Sequence, residues 1–332
     1  MPVLFCRAGI FFCPVASLPA GLDQFLEMPY SCGMEIIRAK VLGYCMGVKR
    51  AVDCAERALE ENGAGGAAAA PALYTLGPLI HNPSVLQELS GRGLRVLDAA
   101  QDDFSSLPPD SVVIVRAHGT TPDVLAALTA ARARIVDATC PRVHLSQRRA
   151  EEWSGKGFAV IIAGDKNHGE VTSISGFAAK GAAASGAEGC VCVVQDSAEA
   201  EQLAVPEKAV LIAQTTFSPL EFEKIAQVLR QKNPSIILFN SICSATMERQ
   251  NALRELAGCV DGMLVVGGCS SANTRRLFET AQSLCPAAAL IETAAQIPAQ
   301  FFGLARVGIT AGASTPDSVI VAVEEALRSG AC

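Results

Sequence analysis

Ile135-Val136-Asp137-Ala138-Thr139-Cys140-Pro141-Arg142-Val143-His144-Leu145-Ser146-Gln147 is the stretch on which the fold turns. A strand-like apolar run ends at a cysteine, and a proline then opens a helix-like run. The same junction occurs twice more. Glu35-Ile36-Ile37-Arg38-Ala39-Lys40-Val41 precedes Cys45, which opens Met46-Gly47-Val48-Lys49-Arg50-Ala51-Val52. Ile236-Ile237-Leu238-Phe239 precedes Cys243, which opens Ser244-Ala245-Thr246-Met247-Glu248-Arg249. The cysteines are spaced by about 100 residues, the size of a small α/β unit. A helix N-terminus favours a thiolate through its dipole and free N–H groups. Three thiolates converging on one point would form a soft-metal site with one coordination position open. That arrangement suits catalysis better than a structural role.

The intervals between the cysteines also repeat. Leu73–Leu76 is followed by His81 and Asn82-Pro83, and Val112–Val115 by His118 and Thr121-Pro122. Ala159–Ile162 is followed by His168 and Glu170, and Val210–Ala213 by Thr215-Thr216 and Ser218-Pro219. Met263–Val266 leads to Ser271 and Asn273, and Val307–Thr310 to Ser314 and Thr315-Pro316. A Ser, Thr or Asn before proline is an N-cap followed by the first helical position. Each polar loop therefore lies where a strand ends and a helix begins. In parallel α/β sheets that edge binds ligands, and helix N-termini there hold anions.

The pattern predicts an α/β fold of three pseudo-repeated units, with a rough three-fold arrangement that brings six polar loops and three cysteines to one centre. The units are 45–140, 141–242 and 243–332, with a strand in 34–44 joining the third. The simpler alternative is one long doubly wound sheet with ordinary turn residues.

Composition fits a soluble α/β enzyme. Half of the 332 residues are hydrophobic and 18% are charged, which suits buried parallel strands. No apolar run reaches the roughly 18 residues of a membrane helix, so no membrane partner is expected. The formal net charge of −6 gives no basic surface for nucleic acid. Thirteen cysteines, an odd number in a large chain, do not resemble a disulfide scaffold and point to a reducing cytoplasm. Cys54, Cys190, Cys192, Cys259 and Cys285 read as small hydrophobes. Residues 1–33 contain one arginine and no lysine, a poor export signal. They read as an extension that is disordered or reflects an over-long start. The Ala/Gly-rich stretches 63–71 and 180–189 read as surface loops.

Several ordered motifs carry a family resemblance. They are Gly43-Tyr44-Cys45-Met46-Gly47-Val48-Lys49-Arg50-Ala51, Arg116-Ala117-His118-Gly119 and Asp137-Ala138-Thr139-Cys140-Pro141. His168-Gly169-Glu170-Val171, Gln214-Thr215-Thr216, Cys243 to Gln250, and Thr310 to Asp317 complete the set. Together they resemble the 4-hydroxy-3-methylbut-2-enyl diphosphate reductases, which catalyse the last step of the non-mevalonate isoprenoid pathway. The resemblance runs from Met34 to about Leu327. It implies a trefoil of three α/β domains around one [4Fe–4S] cluster, with Cys45, Cys140 and Cys243 as its three protein ligands and one iron open. It further implies Glu170 as the proton donor and Thr215 as the link between this acid and the substrate hydroxyl. His81, His118, His168, Ser271, Asn273 and Ser314 would surround the substrate, chiefly its diphosphate. A ferredoxin or flavodoxin would donate electrons. His144 has no role in this scheme and reads as structural.

Three positions depart from the family pattern. Gly169 stands where proline is usual, Ala272 replaces a second serine, and Cys269 replaces a bulkier polar residue. Two other classes fit three cysteines: a non-redox iron–sulfur hydro-lyase acting on a phosphorylated small molecule, and a zinc protein with three cysteines and a histidine.

Overall fold

Short runs of apolar residues are buried on both faces only inside a covered parallel sheet, and the computed structural model places them in three such sheets. It describes residues 33–64, 71–80, 82–99, 102–186 and 190–330. The expectations for 1–32, for His81 and for 65–70 and 187–189 lie outside the described residues.

The strands are β1 (Glu35–Arg38), β2 (Leu73–Leu76), β3 (Leu94–Leu97), β4 (Val112–Val115), β5 (Arg134–Asp137) and β6 (Ala159–Ala163). Then come β7 (Val191–Val194), β8 (Ala209–Ala213), β9 (Ile237–Phe239), β10 (Gly262–Val266), β11 (Ala287–Ile291) and β12 (Arg306–Ala311). They pair in the orders β3-β2-β4-β5, β7-β6-β8-β9 and β11-β10-β12-β1, all parallel. The fold is α/β with three separate four-stranded sheets, and a single long sheet is excluded. One edge strand of each sheet, β1, β5 or β9, runs towards a cysteine. Among the described residues the first strand sits beside the last, because β1 pairs with β12 from Glu35–Arg306 to Arg38–Ile309.

Among the described residues ten α-helices cover the sheets: α1 (Met46–Ala64), α2 (Pro83–Gly91), α3 (Pro122–Ala130), α4 (Pro141–Gly155) and α5 (Gly169–Ser185), then α6 (Ser197–Gln202), α7 (Pro219–Lys232), α8 (Ser244–Ala257), α9 (Ala272–Leu284) and α10 (Asp317–Gly330). Asn82, Thr121 and Ser218 each cap a helix through the side chain, with proline following. Thr315 does not follow this pattern. Its hydroxyl donates to the Val266 carbonyl at 2.9 Å, and α10 starts only at Asp317. The expected loop at 180–189 is corrected in part, since residues 180–185 are the last turns of α5. Alanine is the best helix former, and small residues let α5 lie close against α4. A Cβ at Gly181 would overlap the Glu151 carbonyl oxygen. No described helix is long and apolar enough to cross a membrane.

Candidate active site

The three cysteines occupy equivalent places. Cys140 and Cys243 are the N-cap residues of α4 and α8. Cys45 immediately precedes α1, and its Sγ lies 3.4 Å from the Val48 N–H. All three are half-buried free thiols that line one cavity, and among the described residues no other cysteine lines it. Gly47 makes room for the group, because a Cβ there would stand 2.8 Å from Cys140 Sγ. Burial raises the Cys140 thiol pKa. The Arg142 and Val143 N–H groups oppose that rise, and charge on Cys45 and Cys243 adds to it. The thiols thus feel one another. Among the described residues, though, no three His, Cys, Asp or Glu side chains gather tightly enough to ligate a single ion. Three free thiols at helix N-termini around one cavity are a donor set suited to an iron–sulfur cluster.

Glu170, on the first turn of α5, lines the same cavity and is 1% exposed. The Thr215 N–H donates to its Oε1 at 2.7 Å, and the Thr215 hydroxyl stands 2.8 Å from its Oε2. Burial raises the Glu170 pKa from 4.5 to about 7; the two Thr215 contacts hold it down, as does Arg276, while Asp165 raises it. Near neutral pH this carboxyl is poised to give or take a proton. Thr215 also ties the acid to the cysteines, because its carbonyl accepts from the Cys243 N–H at 2.8 Å.

His168 caps α5. Its Nδ1 accepts from the Glu170 N–H at 3.2 Å, which assigns the ring proton to Nε2. The His118 ring packs edge-on against it, with centroids 4.7 Å apart. Both line the cavity, as do Ser271, Asn273 and Ser314. Ser271 caps α9 through its Oγ. Asn273 Nδ2 and Ser314 Oγ are buried without a hydrogen-bond partner. Buried polar atoms are seldom left unpaired, so these two point to an absent ligand. The cavity holds about 90 Å³ of water-accessible space, room for several waters or a small ligand.

His144 lies outside the cavity. It bridges Gln147, at 2.9 Å, and Asp137, at 3.1 Å, as a structural histidine would. Ala272 lines the cavity without offering a hydroxyl, whereas Cys269 is exposed and its N–H donates to Glu292 at 2.8 Å.

Sequence reasoning missed the arginines that join one cysteine junction to the next. Arg50, on α1, donates to the Asp137 and Thr139 carbonyls just before Cys140. Arg142, just after Cys140, donates to Ser244 Oγ, just after Cys243. Arg249, on α8, donates to the Gly43 carbonyl just before Cys45. A fourth arginine, Arg276 on α9, holds both Asp165 oxygens at 2.8 and 3.0 Å and the Thr216 carbonyl at 2.8 Å. Only the motif positions of Arg50, inside Gly43–Ala51, and Arg249, inside Cys243–Gln250, hinted at any of these.

The family described as LytB protein matches residues 36–328. The chain belongs to the LytB family. A relative from Treponema denticola, named 4-hydroxy-3-methylbut-2-enyl diphosphate reductase, is 45% identical over 90% of this chain and 100% of its own length. A relative of the same name from Geobacter metallireducens is 40% identical over 89% of this chain and 97% of its own. Among solved structures, one described as (E)-4-hydroxy-3-methyl-but-2-enyl diphosphate reductase, the terminal enzyme of the non-mevalonate pathway, superposes with a TM-score of 0.65 at 33% identity. It covers 89% of this chain and 99% of its own. The E-1-hydroxy-2-methyl-but-2-enyl-4-diphosphate reductase of Plasmodium falciparum superposes with a TM-score of 0.75 at 26% identity, over 86% of each chain.

Proposed function

We propose that this LytB-family chain is an oxidoreductase that converts (E)-4-hydroxy-3-methylbut-2-enyl diphosphate to isopentenyl and dimethylallyl diphosphate. The observation that carries the reading is the meeting, in one cavity, of three junction thiols, a buried acid bonded to Thr215, and polar atoms awaiting a ligand. We further read 45–140, 141–242 and 243–332 as three domains, with the strand in 34–44 completing the last and a cytoplasmic setting for the whole.

Cys45, Cys140 and Cys243 would hold a [4Fe–4S] cluster, which would supply two electrons and Lewis acidity at the substrate hydroxyl. Asn273 Nδ2, Ser314 Oγ and the α9 N-terminus at Ser271 grip the diphosphate, with His118 and His168 beside them and His81 assigned to the same group. The helix N-terminus and these neutral donors hold an anion without lysine. Glu170, protonated, gives its proton to the departing hydroxyl, and Thr215 fixes the carboxyl's orientation. The C–O bond breaks, water leaves, and the two electrons remain on the allyl group, which takes a proton at either end. The electron donor in this reading is a ferredoxin or flavodoxin.

Anaerobic protein, given the hydroxylated diphosphate and an artificial reductant, should form both products and consume two electrons per turnover. Water loss without electron uptake would instead support the hydro-lyase reading.

A further inference from the structure

Arg249 is 3% exposed, yet it lines the cavity that the three cysteines share. Its Nη1 donates to the Ala245 carbonyl at 2.8 Å and its Nη2 to the Gly43 carbonyl at 2.6 Å. Its Nε is buried with no partner. Among the described residues no carboxylate forms an ion pair with it. Glu248 is next in the chain but exposed. A buried cation is costly unless a negative charge faces it, and two carbonyl dipoles offset only part of that cost. Burial lowers the Arg249 pKa, and charge on Cys45, Cys243 and the exposed Glu248 opposes that fall; of these, the two thiols share the cavity that Arg249 lines.

We propose that Arg249 is the buried counter-charge of the cluster held by Cys45, Cys140 and Cys243, and that it makes that cluster easier to reduce. The proposal rests on the iron–sulfur reading above. Hydrogen bonds and charge around a cluster set its potential. Reduction adds one electron from the titrant to the cluster, and a fixed positive charge nearby favours the state carrying it. Arg50 and Arg142 also bond between cysteine junctions, but both are exposed, so water screens their charge. Arg249 is the member of this set whose charge is felt undiminished.

The test is an anaerobic redox titration of the holoenzyme, followed by absorbance and spin resonance. It compares the parent with Arg249→Gln, Arg249→Lys and Arg50→Gln. Arg249→Gln should make reduction at least tenfold less favourable, a fall of about 59 mV for one electron. Arg249→Lys should stay near the parent because it keeps the charge. Arg50→Gln breaks a bond between junctions and should leave the potential unchanged, so a purely structural effect is separated from a charge effect. Equal potentials in Arg249→Gln and the parent would overturn the proposal. Should Arg249→Gln fail to hold a cluster, Arg249→Lys decides. A loaded protein with a parent-like potential supports the counter-charge role, and loss of the cluster there too overturns it. A parent that holds no iron and sulfide overturns both this proposal and the reading beneath it, and iron analysis of the parent alone distinguishes the two failures.

Discussion

Glu170 meets Thr215 at two points, with Oε1 2.7 Å from the Thr215 N–H and Oε2 2.8 Å from its hydroxyl. The backbone bond fixes one carboxyl oxygen. The hydroxyl can donate to the other when the acid is ionised, or accept from it when protonated. Thr215 therefore serves both states of a proton donor, which an alkyl side chain could not do.

Glu170→Gln retains the shape and most of these bonds but removes the transferable proton. Positioned acids contribute about 10²–10⁴-fold, so turnover should fall by that order while substrate affinity stays near that of the parent. Glu170→Asp should keep more activity than Glu170→Gln. Anaerobic steady-state rates and substrate titrations check both expectations, and near-normal turnover by Glu170→Gln would move the role to His168.

The same carboxyl makes stability depend on pH. Its folded pKa, about 7, lies above the ordinary 4.5. Folding therefore favours the protonated form. The stability gained is fully present below about pH 4.5 and is lost as pH rises through about 7. At roughly 1.4 kcal/mol per unit, the loss is of order 3 kcal/mol in ligand-free protein. Glu170→Gln should flatten this dependence and be the more stable protein at pH 8. Urea unfolding at pH 5 and pH 8 measures it, and parallel slopes for the two proteins would contradict it.

Asn273 Nδ2 and Ser314 Oγ have no partner to lose in the ligand-free state. Asn273→Ala and Ser314→Ala should therefore leave thermal stability intact. Each lost bond to a charged phosphate removes about 1.5–3 kcal/mol, so substrate affinity should fall roughly 10- to 100-fold. Ser271→Ala differs because Ser271 also caps α9; it should cost about 1 kcal/mol of stability as well. Calorimetry and substrate titration of the three variants separate these effects.

Gly169 takes the first position of α5, where proline is tolerated, and its φ is not in the left-handed region. A Cβ there would overlap the end of the Arg116 side chain. Gly169→Pro should therefore cost about 0.5–1.5 kcal/mol, the scale of a forced rotamer, and Arg116→Ala should relieve that cost. A double-mutant cycle in thermal unfolding reads the coupling directly, and strict additivity would contradict the contact.

The central strands were legible because they are buried on both faces, so Val112–Val115, Ala159–Ala163 and Met263–Val266 read as unbroken apolar runs. The strands β3 and β11 were not. Leu94-Arg95-Val96-Leu97 lies at an edge with its middle exposed, and Ala287–Ile291 is half-buried. Neither needs a distinctive pattern. The segment after Lys180 looked like a loop because it has few large residues, yet small residues are what its packing against α4 requires. The three cysteines stood out because each interrupts a strand-to-helix junction. The arginines between them did not, since an arginine's partner can lie in a distant unit, as Gly43 does for Arg249.

Iron and acid-labile sulfide analysis of serine variants tests most directly whether the cavity is built around a cluster. The anaerobic parent should hold one [4Fe–4S] cluster per chain. Cys45→Ser, Cys140→Ser and Cys243→Ser should each lose most of its iron. Cys54→Ser, Cys192→Ser and Cys259→Ser should keep it, because those side chains do not line the cavity. Zinc in place of iron in the parent, or equal iron loss in one of the second set, would contradict the account.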